Sequence, residues 1–263
     1  MSKNDGFVIK IVVAVTYLVM ILLNGLANAL PINNTTTGEV SDAFFDLFAP
    51  ATITFSIWGL IYLLLAGYTL YQFGLFQADK GASRESLFQK VGIYFAISSV
   101  ANALWIVSWH YYAVGISFLL MVIMVACLYT IANLLSGESF SIKEKAFIQV
   151  PFSIYFGWVT VATIANFITF MVSIGWAGIA SQFWTVVIMV IGIAIGVTLL
   201  RRFQDIAYGL VLIWAYTGIL VKHISPAEFA ANYPVVIATA IIAIIIFVVA
   251  EVFLVYPGMN QRA

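Results

Sequence analysis

Long apolar runs separated by short polar connections make up most of the chain. A helix that crosses the roughly 30 Å hydrocarbon core of a bilayer needs about 20 mostly apolar residues at about 1.5 Å of rise each. Eight runs reach or approach that length: Ile11–Leu30, Ala51–Phe73, Val91–Trp109, Gly115–Leu135, Ala146–Met171, Ser181–Leu200, Ile206–Val221 and Pro234–Val255. The seventh is the shortest. No run alternates apolar and polar residues with a period of two, so a β-barrel is not expected. The pattern predicts an all-α membrane protein, a polytopic bundle of about eight transmembrane helices.

Composition removes the soluble alternatives. Of 263 residues, 63% are hydrophobic and only 8% charged, against roughly 25% charged in an ordinary soluble domain. A surface of this size cannot be solvated with so few charges, which excludes a water-soluble enzyme, a nucleic-acid binder and a disordered chain. The 11 basic and 11 acidic residues cancel, so nothing points to a polyanionic partner. The single cysteine, Cys127, excludes an internal disulfide and a cysteine-rich metal cluster.

The basic residues predict the orientation. With eight spans and the N-terminus inside, Lys3, Lys10, Lys80, Arg84, Lys90, Lys143, Lys145, Arg201, Arg202 and Arg262 all fall on the cytoplasmic side, and Lys222 alone falls outside. Both termini are therefore expected in the cytoplasm. The first run, with Lys3 and Lys10 before it and Ala27-Asn28-Ala29 at its end, also resembles a secretory leader. Its length, and Asn24 and Asn28 one helical turn apart, favour a retained helix. An outer loop, Pro31–Pro50, is acidic and carries two overlapping Asn-x-Thr sequons; the inner loop Gln77–Lys90 is charged.

Polar groups inside the spans carry the remaining information, because lipid-facing positions favour aliphatic side chains. Only Glu251 brings a charge into a span, and it reads most simply as an end-of-helix carboxylate reaching the interface. So sparse a set of buried charges disfavours an ion-coupled carrier. Asparagines recur instead: Asn24, Asn28, Asn102, Asn133 and Asn166. An amide in hydrocarbon must find partners, so these should face other helices or a wet cavity. Gly192 and Gly196 form a small-xxx-small pair that reads as a packing seam.

Aromatic residues form helical stripes. Trp58 and Tyr62 are four apart; Asn102, Trp105 and Trp109 follow a 0, 3, 7 spacing; Tyr155, Trp158 and Asn166 follow 0, 3, 11. Such walls suit a large flat apolar ligand, with π-faces to stack on and amides to orient it, although an aromatic core with interfacial belts has the same spacing. Trp109-His110-Tyr111-Tyr112 reads as such a belt, although axial haem ligation by His110 or His223, both at outer helix ends, is also conceivable.

Three motifs resemble the TspO/MBR (translocator protein, tryptophan-rich sensory protein) family. Phe48-Ala49-Pro50 followed by Trp58-Gly59-Leu60-Ile61-Tyr62 is similar to the family's second helix, and Asn102-Ala103-Leu104-Trp105 to its third. Trp158, Ala162, Ala165 and Asn166 match the spacing of its fifth. The resemblance covers about residues 8–172. Thr52 and Phe170 stand where the family has tryptophans, Pro151 precedes Trp158 by seven residues rather than four, and three further helices follow. The resemblance implies a five-helix ligand unit, residues 1–175, with a three-helix extension, residues 176–263. It also implies a cavity under the first long loop for a tetrapyrrole-like or sterol-like ligand. By position, Pro50 would shape the cavity mouth, Trp58, Tyr62, Trp105 and Trp158 would wall it, and Asn102 and Asn166 would orient polar groups. Tyr155 joins them on helical spacing alone.

Function is therefore expected to be that of a membrane receptor or transporter. The alternatives are an enzyme acting on tetrapyrroles and a structural or assembly subunit. No nucleophile–base pair, HExxH motif or carboxylate dyad appears, which favours binding over catalysis. No cofactor or metal is expected; porphyrin or haem enters only as ligand. The expected partners are the lipid bilayer and a hydrophobic small molecule, with a homodimer left open and no nucleic acid.

Overall fold

The computed structural model describes residues 3–30, 32–75 and 82–256; Lys80 and Arg262, counted above on the inner side, lie outside them. Among the described residues, eight helices are long and apolar enough to cross a membrane. In chain order the helices are α1 (Lys3–Ala29), the short α2 (Thr37–Asp42), α3 (Ile57–Gln72), α4 (Ala82–His110), α5 (Val114–Ser136), the single turn α6 (Ile142–Glu144), α7 (Val150–Ser173), α8 (Gln182–Phe203), α9 (Ile206–Ile224) and α10 (Pro234–Val255). All eight expected runs are helical. Three begin before their apolar stretch, because the first turns of α1, of α4 and of α6–α7 are polar and extend beyond what hydropathy detects.

Local chemistry sets the breaks. Thr36 and Glu39 form a reciprocal capping box that starts α2, and Ser141 with Glu144 does the same for α6. Pro151 lacks an N–H, and the turn before it widens: Lys145–Gln149 is a π-turn in which the Val150 N–H reaches Lys145 O. Gln204 ends α8 in the left-handed region, and Asp205 then caps α9 by accepting from the Tyr208 N–H at 3.2 Å.

The centre of the bundle is α7, which packs against α3, α5 and α9; α1 lies on α4, α4 on α5, and α8 and α9 on α10. The outward faces carry exposed aliphatics such as Leu22 on α1 and Ile245 on α10, as a helix facing lipid should. One end of the bundle gathers the Arg84–Glu144 ion pair, Arg202 bonded to Asn133 Oδ1 at 2.9 Å, and Asp205 accepting from Ser153 and Gln149. Asn133 thus faces a surface arginine instead of the bundle interior.

Glu251 does not reach an interface as expected. It is 7% exposed, and its carboxylate lies over Gly209 of α9, with neither oxygen hydrogen-bonded among the described residues. Only a residue without a Cβ lets α10 approach α9 so closely, and that contact turns the carboxylate inward.

Candidate ligand-binding site

Trp58, near the start of α3, is the hub of an aromatic cluster contributed by three long helices. Its ring stacks on Tyr62 at 5.6 Å and 18°, and lies 5.5 Å from Trp105 of α4. Tyr155 and Trp158 of α7 meet it edge-on at 6.0 and 6.2 Å. Offset and T-shaped pairs are the favoured arrangements of ring quadrupoles. The three stripes seen in the sequence thus converge on one place.

The amides lock the helices behind these rings. Asn24 of α1 donates to Asn102 Oδ1 at 2.7 Å, and Asn102 donates to Tyr155 Oη at 3.1 Å. Tyr17 Oη donates to the carbonyl of Tyr62 at 2.8 Å. Asn166 Oδ1 accepts from Trp105 Nε1 at 3.3 Å and from Ser117 Oγ at 2.8 Å. Pairing of this kind is what buried amides in an apolar bundle require.

Two spaces adjoin the rings. A small chamber of about 30 Å³ lies among Pro50, Trp58, Trp105, Trp158 and Asn166. It is large enough for one or two waters or the end of a ligand. A cleft of about 600 Å³ runs between α1 and α3, walled by Asn24, Asn28, Thr52, Trp58, Gly59 and Tyr62. Trp58, Phe55 and Thr37 border both spaces and separate them. Six of the eight expected site residues therefore line a space. Asn102 and Tyr155 line neither; they hold the wall from behind. The indole Nε1 of Trp158 is buried with no hydrogen-bond partner among the described residues, while its residue lines the chamber.

The roof over these spaces is the segment after α1. Trp109 Nε1 donates to Thr37 O at 3.1 Å, and the His110 ring sits 3.2 Å from both Thr37 Oγ1 and Ile32 O. This corrects the belt expected at Trp109-His110-Tyr111-Tyr112. Trp109 and His110 are buried, and only Tyr111 and Tyr112 are exposed. The return of the roof onto the end of α4 covers the first two, which no spacing along α4 could reveal. Both ring nitrogens of His110 face protein atoms, so it presents no free nitrogen to an iron. His223 directs Nε2 to the carbonyl of Leu47 at 2.8 Å. In the same roof, Asp46 is 4% exposed and accepts from the Phe48 N–H at 2.7 Å; burial, only partly offset by that bond and by Lys222, pushes its carboxyl up to about 6.

Sequence reasoning missed Phe55, Thr37, Thr52 and the open glycines Gly25 and Gly59 as lining residues. In the sequence Thr52 stands out only as a departure from the family's pattern; in the structure it lines the cleft.

Eight apolar helices, with an aromatic-walled cleft between two of them, define a polytopic all-α membrane protein with a cavity at one end of the bundle. The family of TSPO-like proteins matches residues 10–253, and the chain belongs to that family. The match runs through α8, α9 and α10 as well as the first seven helices. No curated protein and no solved structure matches the chain.

Proposed function

We propose that the protein is a membrane receptor or transporter for an uncharged hydrophobic molecule carrying a hydroxyl or carbonyl, sterol-like in character, held in the cleft between α1 and α3. The observation that carries this reading is the lining itself. About 600 Å³ is walled by aromatic rings, amides and hydroxyls, with no charged side chain among the described residues that line it, within the size range of small-molecule sites. The unpartnered N–H of Trp158 supplies a donor for an oxygen that reaches the chamber. A dicarboxylate tetrapyrrole would bring two anions to walls that offer no base, at a cost of several kcal/mol.

The end bearing Arg84, Lys143, Lys145 and Arg202 faces the cytoplasm in this reading, by the positive-inside bias, and the roof faces the other side. A reporter fused after Arg202 reads cytoplasmic; an external reading reverses the orientation.

The test is tryptophan quenching of the purified protein in nanodiscs by a fluorescent sterol and by protoporphyrin. A Cβ at Gly59 meets nothing within 4 Å, so Gly59→Phe starts its side chain in the open space of the cleft. It should weaken sterol binding at least about tenfold, about 1.4 kcal/mol, with the melting temperature unchanged. Tighter binding of protoporphyrin than of the sterol, or Gly59→Phe binding like the wild type, overturns the proposal.

A further inference from the structure

The roof segment is irregular backbone from Leu47 to Ala51 and a 3₁₀ turn from there to Ser56. Its peptide groups lie where little water reaches, and an unpaired peptide there costs several kcal/mol. Pro50 contributes no N–H, and the short 3₁₀ turn Thr52–Ser56 that follows has no side-chain cap. Its partners come from α9, about 160 residues further along the chain. The Ala51 N–H donates to Gly218 O at 3.0 Å, and Trp214 Nε1 donates to Thr54 O at 3.0 Å. His223 Nε2 reaches Leu47 O at 2.8 Å. Lys222, itself 6% exposed, pairs with Asp42 at the end of α2 at 2.8 Å. Tyr216 meets Phe48 edge-on at 6.4 Å. Gly218 permits the approach, because a Cβ there would stand 2.9 Å from Pro50 Cβ.

We infer that α9 is a positioning element of the ligand site: it holds the backbone at Leu47, Ala51 and Thr54, and thereby sets Pro50 and Phe55 against Trp58 and Trp158. On this inference the C-terminal helices complete the binding unit and are not a separable extension of residues 1–175. Phe55 meets Trp158 at 5.8 Å and borders both the chamber and the cleft, so a shift of the segment alters both spaces. The link to ligand affinity rests on the proposed function; the hold on the segment does not.

The test uses the full-length protein in nanodiscs, with hydrogen exchange of residues 43–56 measured beside binding of the fluorescent sterol. Gly218→Val drives a side chain into Pro50 and Thr54, and Trp214→Phe strips the donor from Thr54 O. Each should speed exchange at Ala51 about tenfold and weaken sterol binding several-fold, with exchange in α4 and α5 unchanged. Lys222→Met, the mildest change, should loosen the segment, and Lys222→Arg should restore it. Leu210→Ala, on the exposed face of α9, should alter neither. Unchanged exchange over residues 43–56 in Gly218→Val, Trp214→Phe and Lys222→Met overturns the hold. A loosened segment with full sterol affinity overturns the positioning role. Absence of sterol binding by the wild type removes the proposed ligand, while the exchange arm still decides whether α9 holds the roof.

Discussion

Glycine serves opposite ends in two regions of this bundle. Along the seam joining α7, α8, α9 and α10, each glycine is a point of contact. A Cβ on Gly157 would meet Val211 Cβ at 2.9 Å and the Tyr208 carbonyl at 3.0 Å, and one on Gly192 or Gly196 would meet Tyr216 Oη at 2.6 Å or Phe247 at 2.9 Å. Between α1 and α3, Gly25 and Gly59 face open space, with nothing within 4 Å. Missing side chains in the seam let helices close; missing side chains at the cleft keep a volume empty. The seam is held by packing, where lipid gives no hydrophobic advantage to association and close van der Waals contact does the work. The cleft walls, α1 and α3, meet only where Tyr17 bonds the Tyr62 carbonyl and its neighbours touch, and amide bonds tie α1 to α4 and α4 to α7, so the space beside that contact stays open.

The comparison breaks most visibly at Gly157. Gly157→Val must move α9 off α7 against a backbone carbonyl, and should cost about 3 kcal/mol or more, the upper end of overpacking penalties. The loss is read as a fall in melting temperature, whereas Gly59→Phe should melt like the wild type. Equal melting of both variants would erase the distinction between the two regions.

A smaller effect belongs to the roof. Because the carboxyl of Asp46 is pushed up to about 6 from 3.8, its contribution to stability is fully present below about pH 4 and is lost as pH rises through 6. The interval corresponds to about 3 kcal/mol at most. Thermal melts at pH 4.5 and 7.5 should differ in that direction, with the difference reduced in Asp46→Asn. A melt that is flat in both proteins removes the effect.

The smallest expected effect separates two neighbouring aromatic residues. Trp109 lines the chamber and holds Thr37, so Trp109→Ala should weaken sterol binding several-fold, about 1 kcal/mol. Tyr111, exposed beside it, should be silent when changed to alanine. Identical affinities would return Trp109 to the interfacial belt that its spacing alone suggested.

Much of this architecture was legible along the chain. Eight apolar runs became eight helices, because a bilayer rewards an unbroken apolar stretch of sufficient length and no other fold hides so many peptide groups. The stripes of Trp58, Trp105 and Trp158 converged as their helical spacing implied, and so did the asparagines Asn102 and Asn166, because amides in such a setting must turn toward partners. The Gly192 and Gly196 seam was readable for the same reason: small residues one turn apart invite a neighbour.

Other features depended on contacts between residues far apart in sequence. Nothing near Trp109 or His110 announces that the segment after α1 will fold over them, and nothing in α9 announces that its carbonyl at Gly218 will receive the Ala51 N–H. Gly59 and Gly157 are the same residue in similar helical settings, and only the neighbour across the gap makes one a cavity wall and the other a seam. Glu251 likewise reads as an interfacial carboxylate until α9 presents Gly209 beneath it. Helix length and amphipathic spacing are local properties set by hydropathy and the helical repeat, so the sequence alone determined the membrane class, the helices and the inward faces. Which helix meets which, and where a gap is left, depends on long-range packing and on where irregular backbone finds its hydrogen-bond partners, so only the tertiary structure decided the cleft, its roof and the role of α9.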